Sequence, residues 1–208
     1  MFRVNYKPVM LYIFPFYKKI MASSSSMEWM NKGISRSKRV SILSIFVALG
    51  VILSVYPGSI PVGPTKIAPF QHMINAILGI MLGPGYAVFA ALATGLIRMS
   101  LGIGTIFSIP GGLPGAFVVG FIFWYVRRTS LAALCEPIGT AIGALLSALI
   151  VAPLIGAGAI PAGPWAWLGL TAQWQIYTIV FWASSIPGSI LGFIIVIAMK
   201  KRGLFAKL

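Results

Sequence analysis

The chain has 208 residues, of which 59% are hydrophobic and only 9% are charged. Water-soluble domains carry about 25% charged residues, so this composition excludes a water-soluble globular protein and indicates a polytopic membrane protein. The formal net charge is +14, but the basic residues beyond the N-terminal region mostly flank apolar runs, as topology signals do. We therefore expect the lipid bilayer, and no nucleic acid, as the large-scale partner.

The first 39 residues differ from the rest and are predicted to form a cytoplasmic N-terminal extension, followed by a membrane domain over residues 40–208. Residues 1–26 hold a basic aromatic stretch, whose apolar core from Val9 to Tyr17 is short and broken by a proline. That pattern argues against a cleaved secretory signal. We interpret residues 1–26 as the product of an upstream start codon, with Met27 as the natural start. A short interfacial anchor is the alternative.

Six apolar segments follow and predict an all-α fold with six transmembrane helices, since apolar runs of about 20 residues are long enough to cross a bilayer. Several of them are short, and Pro187 with Gly188 predicts a kink in the last one. The predicted spans are approximately Val40–Tyr56, Ala68–Leu82, Tyr86–Leu101, Pro110–Val126, Leu131–Leu154 and Gln175–Met199.

The basic residues predict the orientation of these spans. They cluster before the first span, between the fourth and fifth, and after the sixth, whereas Lys66 is the one basic residue in the opposite loops. The positive-inside rule then places both termini in the cytoplasm of a cell-membrane protein. The loops at 57–69, 102–109 and 155–174 face outside.

Small residues recur at four-residue spacing in five of the spans, a pattern that lets helices approach closely in lipid. Internal packing is the ordinary interpretation of each stripe, and docking of a partner subunit is the alternative, most of all for the first. The stripes are Ser44/Ala48, Ala87/Ala91/Gly95, Gly112/Ala116/Gly120, Gly139/Gly143/Ser147 and Ser184/Gly188/Gly192.

Three polar residues on the second span form the main candidate site. Gln71, His72 and Asn75 lie three or four residues apart and so share a helical face. Lipid cannot satisfy an amide or an imidazole, so this face is expected to point inward. His72 is the chain's sole histidine. We predict a small polar ligand site covered by the preceding proline-rich loop, with a purely structural hydrogen-bonding role for His72 as the alternative.

Two charged residues lie within predicted spans. Arg98 lies toward the outer end of the third span and shares a face with Thr94. It is a candidate for the same site, or it snorkels to the outer headgroups. Glu136 lies near the cytoplasmic end of the fifth span, where we expect a local interfacial ion pair with Arg127 or Arg128.

Aromatic and amide side chains cluster around the last outer loop and the start of the sixth span. An aromatic belt at the membrane interface explains them, and an aromatic wall over a flat ligand is the functional alternative. Both interpretations can hold together. The candidates are Trp165, Trp167, Gln173, Trp174 and Tyr177.

Sequence signatures of enzymes are absent. The chain has no phosphate-binding loop motif, no histidine pair for a metal and no paired carboxylates for acid–base chemistry. We therefore expect a protein that is not an enzyme and that holds no metal or cofactor.

Four sequence strings carry a resemblance to a known family. They read Pro69-Phe-Gln-His-Met-Ile-Asn-Ala-Ile-Leu-Gly79, Leu82-Gly-Pro-Gly85, Thr94-Gly-Leu-Ile-Arg98 and Phe107-Ser-Ile-Pro-Gly-Gly-Leu-Pro-Gly-Ala116. From about Val40 to Lys201 the chain resembles the ThiW family. That family is the substrate-binding S component, assigned to the thiazole moiety of thiamine, of energy-coupling factor (ECF) vitamin transporters.

The resemblance implies a six-helix bundle of S-component type that takes up hydroxyethylthiazole, a thiamine precursor. It implies as partners a membrane-embedded T component and two ATPase subunits, which would bind the ATP. S components usually dock the T component through an Ala-x-x-x-Ala pattern on the first helix, for which Ser44 and Ala48 are the nearest match. Alternatives are an S component for thiamine or the hydroxymethyl pyrimidine, a membrane-embedded enzyme, or a channel or structural subunit.

The resemblance also suggests roles for the candidate residues. Gln71, His72 and Asn75 would bond the ring nitrogen and hydroxyl of the thiazole. A tryptophan or tyrosine of the last outer loop would stack on the ring. Arg98 would close the polar floor of the site or hold the loop after the third span.

Overall fold

A computed structural model of the chain describes residues 34–55, 58–126, 129–161, 166–167 and 169–203. Several sequence predictions concern residues outside these ranges. They are the interpretation of residues 1–26, the start at Met27, and the roles of Trp165, Arg127 and Arg128.

The described residues form a helical bundle, which confirms the predicted all-α membrane fold. Six helices of more than ten residues are present in this part of the chain: α1 Arg36–Ile52, α2 Pro69–Leu82, α3 Pro84–Ser100, α4 Ser108–Phe121, α5 Glu136–Leu146 and α6 Gln173–Lys201. When the irregular turns that extend α4 and α5 are included, their bounds agree with the predicted spans to within four residues.

Two of these helices are lengthened by irregular turns. A π-helical turn, Ile122–Val126, extends α4, and a 3-10 turn, Ser130–Cys135, leads into α5, which continues through a second π-helical turn, Ser147–Val151, to a short helix, Ala152–Leu154. The resulting stretches Ser108–Val126 and Ser130–Leu154 are long and apolar enough to cross a membrane, as is α6. The helix α6 continues through Pro187 without interruption.

The proline-rich loop before α2 contains a β-hairpin that the sequence did not predict. Strand β1, Ile60–Val62, pairs antiparallel with strand β2, Thr65–Ile67. Two hydrogen bonds tie the hairpin region to the bundle: Lys66 Nζ donates to the Ile103 carbonyl at 2.9 Å, and the Ala68 amide donates to Ser184 Oγ at 2.9 Å. The hairpin therefore lies against the helix bundle rather than as a free loop.

The polar start of α2 lies deep in the bundle. Gly188 lies near the middle of the 29-residue α6 and faces the first turn of α2. A Cβ atom added at Gly188 would lie 2.7 Å from His72 Cβ. The first turn of α2 is therefore level with the centre of the longest helix. The candidate site is therefore buried inside the bundle, beside the middle of α6.

Glycines make the contacts between helices close. Backbone atoms of α4 occupy the space beside Gly139 and Gly143 of α5, and Pro84 occupies the space beside Gly120. Four of the five small-residue stripes thus serve internal packing, as interpreted. The stripe on α1 differs, because Ser44 and Ala48 are exposed.

Large apolar side chains cover the outside of the bundle. Ile45 of α1, Phe89 of α3, Leu149 after α5 and Ile190 of α6 are each 46–64% exposed. An apolar exterior of this extent on a polytopic chain is the surface that lipid covers.

Candidate functional site

A small cavity lies between the hairpin and the helix bundle, with a volume of about 20 Å³. A cavity of that size accommodates about one water molecule, so a heterocyclic ligand enters only if the lining opens. Its lining comes from the hairpin and from α2, α3, α4 and α6: Thr65, Lys66, Ala68, Gln71, His72, Arg98, Phe107, Ser108, Gly111, Gly112, Phe181 and Ser184.

The structure places two of the three α2 candidates at the cavity and one behind it. Gln71 and His72 line the cavity. Asn75 is 1% exposed, and its Nδ2 donates to the Gly112 carbonyl at 3.1 Å and lies 3.5 Å from Glu136 Oε1. Asn75 therefore supports the lining from behind, because both of its contacts are to the protein.

Arg98 points into the bundle, so the snorkelling alternative is wrong. Its residue is 1% exposed, its Nη1 donates to Gln71 Oε1, and its Nε has no acceptor among the described residues. Its backbone carbonyl accepts the amides of Ile103 and Gly104 at 3.0 and 2.8 Å. Arg98 thus both contributes to the polar wall and holds the turn after α3.

Glu136 is completely buried and faces the bundle, whereas the arginines of the expected interfacial ion pair lie outside the described residues. Its Oε1 lies 2.5 Å from His72 Nδ1, and its Oε2 accepts the Thr140 hydroxyl at 3.0 Å. The 3-10 turn before α5 carries the chain inward before Glu136. A Cβ atom at Gly115 would overlap this carboxylate unless the Glu136 side chain moved.

Sequence reasoning missed this pair, although a signal existed. Glu136 is the single acidic residue of the membrane domain and His72 is the single histidine of the chain. A buried charge needs a partner, so the sequence already favoured a contact between Glu136 and His72.

The aromatic wall of the cavity differs from the predicted one. Phe107 and Phe181 line it, and Tyr177 packs between them with ring centroids 5.3 and 6.0 Å away. Tyr177 is buried, and its hydroxyl has no partner among the described residues. Of the predicted aromatic cluster, Tyr177 is therefore the residue that supports the cavity wall.

Other members of that cluster lie elsewhere. Trp167 and Trp174 are 78% and 45% exposed, and neither lines the cavity. The Gln173 side chain bonds both the amide and the carbonyl of Ile160, at 2.9 and 3.1 Å. The tryptophans therefore fit the interfacial-belt interpretation, and Gln173 fastens the last outer loop.

The chemistry available at this cavity is hydrogen bonding and aromatic contact. Donors come from Arg98, Lys66 and the Gln71 amide, whose Nε2 has no acceptor among the described residues. No group of three His, Cys, Asp or Glu residues that could hold a metal ion occurs within the described ranges. The cavity therefore offers hydrogen-bond donors beside aromatic side chains.

Comparison with known proteins gives one result. A family described as thiamine-precursor transporter protein (ThiW) matches residues 40–202, a range that includes nearly all of the helical bundle. No curated protein and no solved structure matches the chain. Because the family match covers well over half of the sequence, the chain belongs to the ThiW family of thiamine-precursor transporter proteins.

Proposed function

We propose that this chain is the S component of an ECF-type importer and that its ligand is hydroxyethylthiazole. The family match supports transport of a thiamine precursor. The observation that supports the finer assignment is the cavity beside the middle of α6, where the donors of Arg98 and Gln71 face the aromatic side of Phe107 and Phe181. The thiazole is flat and small, with a ring nitrogen and a hydroxyl to match these groups.

The charges at the cavity favour a neutral precursor over thiamine. Lys66 and Arg98 both line the cavity, and Glu136, the one described acid, is occupied by His72 and Thr140. A cationic thiazolium would therefore meet like charges without a free counter-ion. A neutral thiazole meets donors instead.

Entry of the ligand requires the hairpin to move. The cavity of about 20 Å³ is far below the several hundred cubic ångströms typical of ligand pockets. Within the described part of the chain, two side-chain hydrogen bonds, those of Lys66 and Ser184, and the packing of Val62 and Ile67 against the apolar cluster around Tyr177 hold the hairpin. The other elements of the lining are long helices of the bundle, so the hairpin is the element that we expect to open.

The assignment is tested by calorimetric titration of the detergent-purified chain with hydroxyethylthiazole, thiamine and the hydroxymethyl pyrimidine. We expect saturable binding of the thiazole and much weaker binding of the other two. Tight binding of thiamine or the pyrimidine without the thiazole would replace the proposed substrate, and the family assignment would stand.

Substitution of His72 by alanine is expected to weaken thiazole binding by about 1–3 kcal/mol, the usual cost of leaving a buried polar partner unpaired. The same titration measures the effect. Ser189→Ala is the control, since it removes a buried hydroxyl whose partner is the Ile186 carbonyl on the same helix. Equal affinities in wild type and His72→Ala would remove His72 from the site.

We further propose that the exposed face of α1 docks the T component, with both termini of the chain in the cytoplasm of the cell. An open groove of about 510 Å³ runs between α1 and α3, with Ser44 and Ala48 in its lining. The rest of its lining is apolar: Leu43, Val47, Val51, Ile52, Phe89, Ala93 and Ile97. Small residues on such a face let another helix approach closely in lipid.

The Ala48→Leu substitution is expected to reduce co-purification with the T component and ATPase subunits and to abolish uptake, because the larger side chain fills the groove. Thiazole binding by the isolated chain should stay unchanged, since Ala48 is remote from the cavity. Ala183→Leu, at an exposed position on α6, is the control. Undiminished complex formation by Ala48→Leu would exclude this face as the docking surface.

A further inference from the structure

The buried carboxylate of Glu136 is surrounded by hydrogen-bond donors. His72 Nδ1 lies 2.5 Å from its Oε1, and Asn75 Nδ2 lies 3.5 Å from the same oxygen. The Thr140 hydroxyl lies 3.0 Å from Oε2. The residue itself is fully buried, and it is absent from the cavity lining. It therefore acts on the cavity only through a neighbour.

The contacts define which atom of His72 carries the proton. The Gly112 carbonyl can only accept, so the Asn75 atom that faces it is the amide nitrogen, which also turns toward Oε1. Oε1 thus accepts from Asn75 Nδ2, whereas the single proton of the Thr140 hydroxyl is shared between Oε2 and the Glu136 backbone carbonyl, at 3.0 and 3.2 Å. An ionised carboxylate only accepts, so His72 Nδ1 is the donor in the short contact with Oε1.

We propose that Glu136 is a positioning residue that holds His72 as the Nδ1–H tautomer and presents the lone pair of Nε2 to the cavity. This is the way in which a carboxylate orients the imidazole of a metal-ligating histidine, here with an organic ligand in place of the metal. Nδ1 is the ring nitrogen that meets Glu136, and the imidazole lines the cavity.

This tautomer determines how the ligand lies, a step that rests on the proposed function. The hydroxyl is the sole donor of hydroxyethylthiazole, so it faces Nε2 of His72. The ring nitrogen only accepts, and it would be repelled by that lone pair. Arg98 has only donors, so the ring nitrogen faces Arg98 and the free Nε2 of Gln71.

Nitrogen-15 NMR of the ligand-free chain tests the tautomer directly. Because His72 is the sole histidine, labelling with ¹⁵N-histidine, in protein purified through a histidine-free tag, yields the signals of one ring. We expect a protonated, pyrrole-type Nδ1 and an unprotonated, pyridine-type Nε2. The opposite tautomer, or a ring protonated at both nitrogens, would overturn the proposal, and this spectrum needs no variant to fold.

The Glu136→Gln variant tests the coupling to binding. Loss of the carboxylate should shift the tautomer toward Nε2–H and weaken thiazole binding about 10-fold or more, as expected for a charged hydrogen-bonding partner. Ser147→Ala on the same helical stretch, whose buried hydroxyl bonds only the Gly143 carbonyl, should change neither. Retention of both tautomer and affinity in Glu136→Gln would refute the positioning role.

The 5-ethyl analogue of the thiazole, which lacks the hydroxyl, tests the orientation. It should bind wild type about 10-fold less tightly, and His72→Ala should weaken it no further. A further loss in that variant would place another group at His72. If wild type binds no thiazole at all, the proposed substrate fails, whereas the spectrum of the free chain still decides the tautomer.

Discussion

The Arg98→Gln variant is expected to bind hydroxyethylthiazole on the order of 100-fold less tightly, a loss of about 3 kcal/mol in the free energy of binding. The reason is that hydrogen bonds to a charged group contribute about 1.5–3 kcal/mol each. The guanidinium lines the cavity and bonds Gln71, and no carboxylate among the described residues neutralises it. The variant removes the strongest donor available to the ring nitrogen.

The stability of the Arg98→Gln variant should not fall with its affinity. A loss of thiazole binding can therefore be told apart from a loss of folding. A buried charge without a counter-ion is costly to the folded state. Its removal is therefore expected to leave the thermal unfolding midpoint in detergent unchanged or raised, even though Gln71 loses its partner. The measurements are calorimetric titration and a thermal melt followed by circular dichroism.

Arg39→Gln is the matched control for Arg98→Gln. Arg39 lies at the other end of the bundle, where its guanidinium donates to the Ile34 carbonyl and lies 5.7 Å from the centre of the Tyr86 ring. This variant should bind the thiazole as wild type does. Undiminished binding by Arg98→Gln would remove the guanidinium from the ligand site.

The Gly143→Ala variant is expected to lower the stability of the bundle by about 1–3 kcal/mol, the typical cost of overfilling a close-packed interior. A methyl group there collides with the backbone carbonyl of Pro110, which cannot rotate away. The helices α4 and α5 must therefore separate. Gly111 and Gly112, the two residues after Pro110, line the cavity. A shift of this part of α4 should therefore weaken thiazole binding as well as lower the unfolding midpoint.

Gly85→Ala provides the comparison for this prediction. Gly85 lies in the first turn of α3, and no atom lies within 4 Å of an added Cβ. Alanine there should leave the midpoint unchanged or raise it slightly, since glycine disfavours helix by about 0.5–1 kcal/mol relative to alanine. Equal midpoints for the two variants would mean that α4 and α5 are not in close contact at Gly143.

Much of the bundle was predictable because its causes are local. The bounds of α2 follow from Pro69 at its first position and from Gly83, whose φ of +91° ends the helix. The apolar runs reveal the other helices by length and composition alone. The stripe Gly139/Gly143/Ser147 predicted a close helix contact correctly, since small side chains are the condition for it.

The hairpin was missed for an equally local reason. Its strands have three residues each, and prolines lie in β1 and in the turn. Prolines count against a strand, so the segment reads as an irregular loop. The pairing is stabilised by contacts that the sequence does not display, such as the bond from Lys66 to the carbonyl of Ile103.

The sequence alone determined that this is an all-α membrane protein of the ThiW family with a polar face on α2, because composition, length and motif are properties of the chain itself. The tertiary structure decided that Glu136 meets His72, 64 residues away, and that Arg98 turns inward to Gln71. Such pairings depend on the depth and rotation of separate helices, which the packing of small residues sets and no local pattern encodes. The site is therefore a property of the packed bundle, and the sequence supplies only its parts.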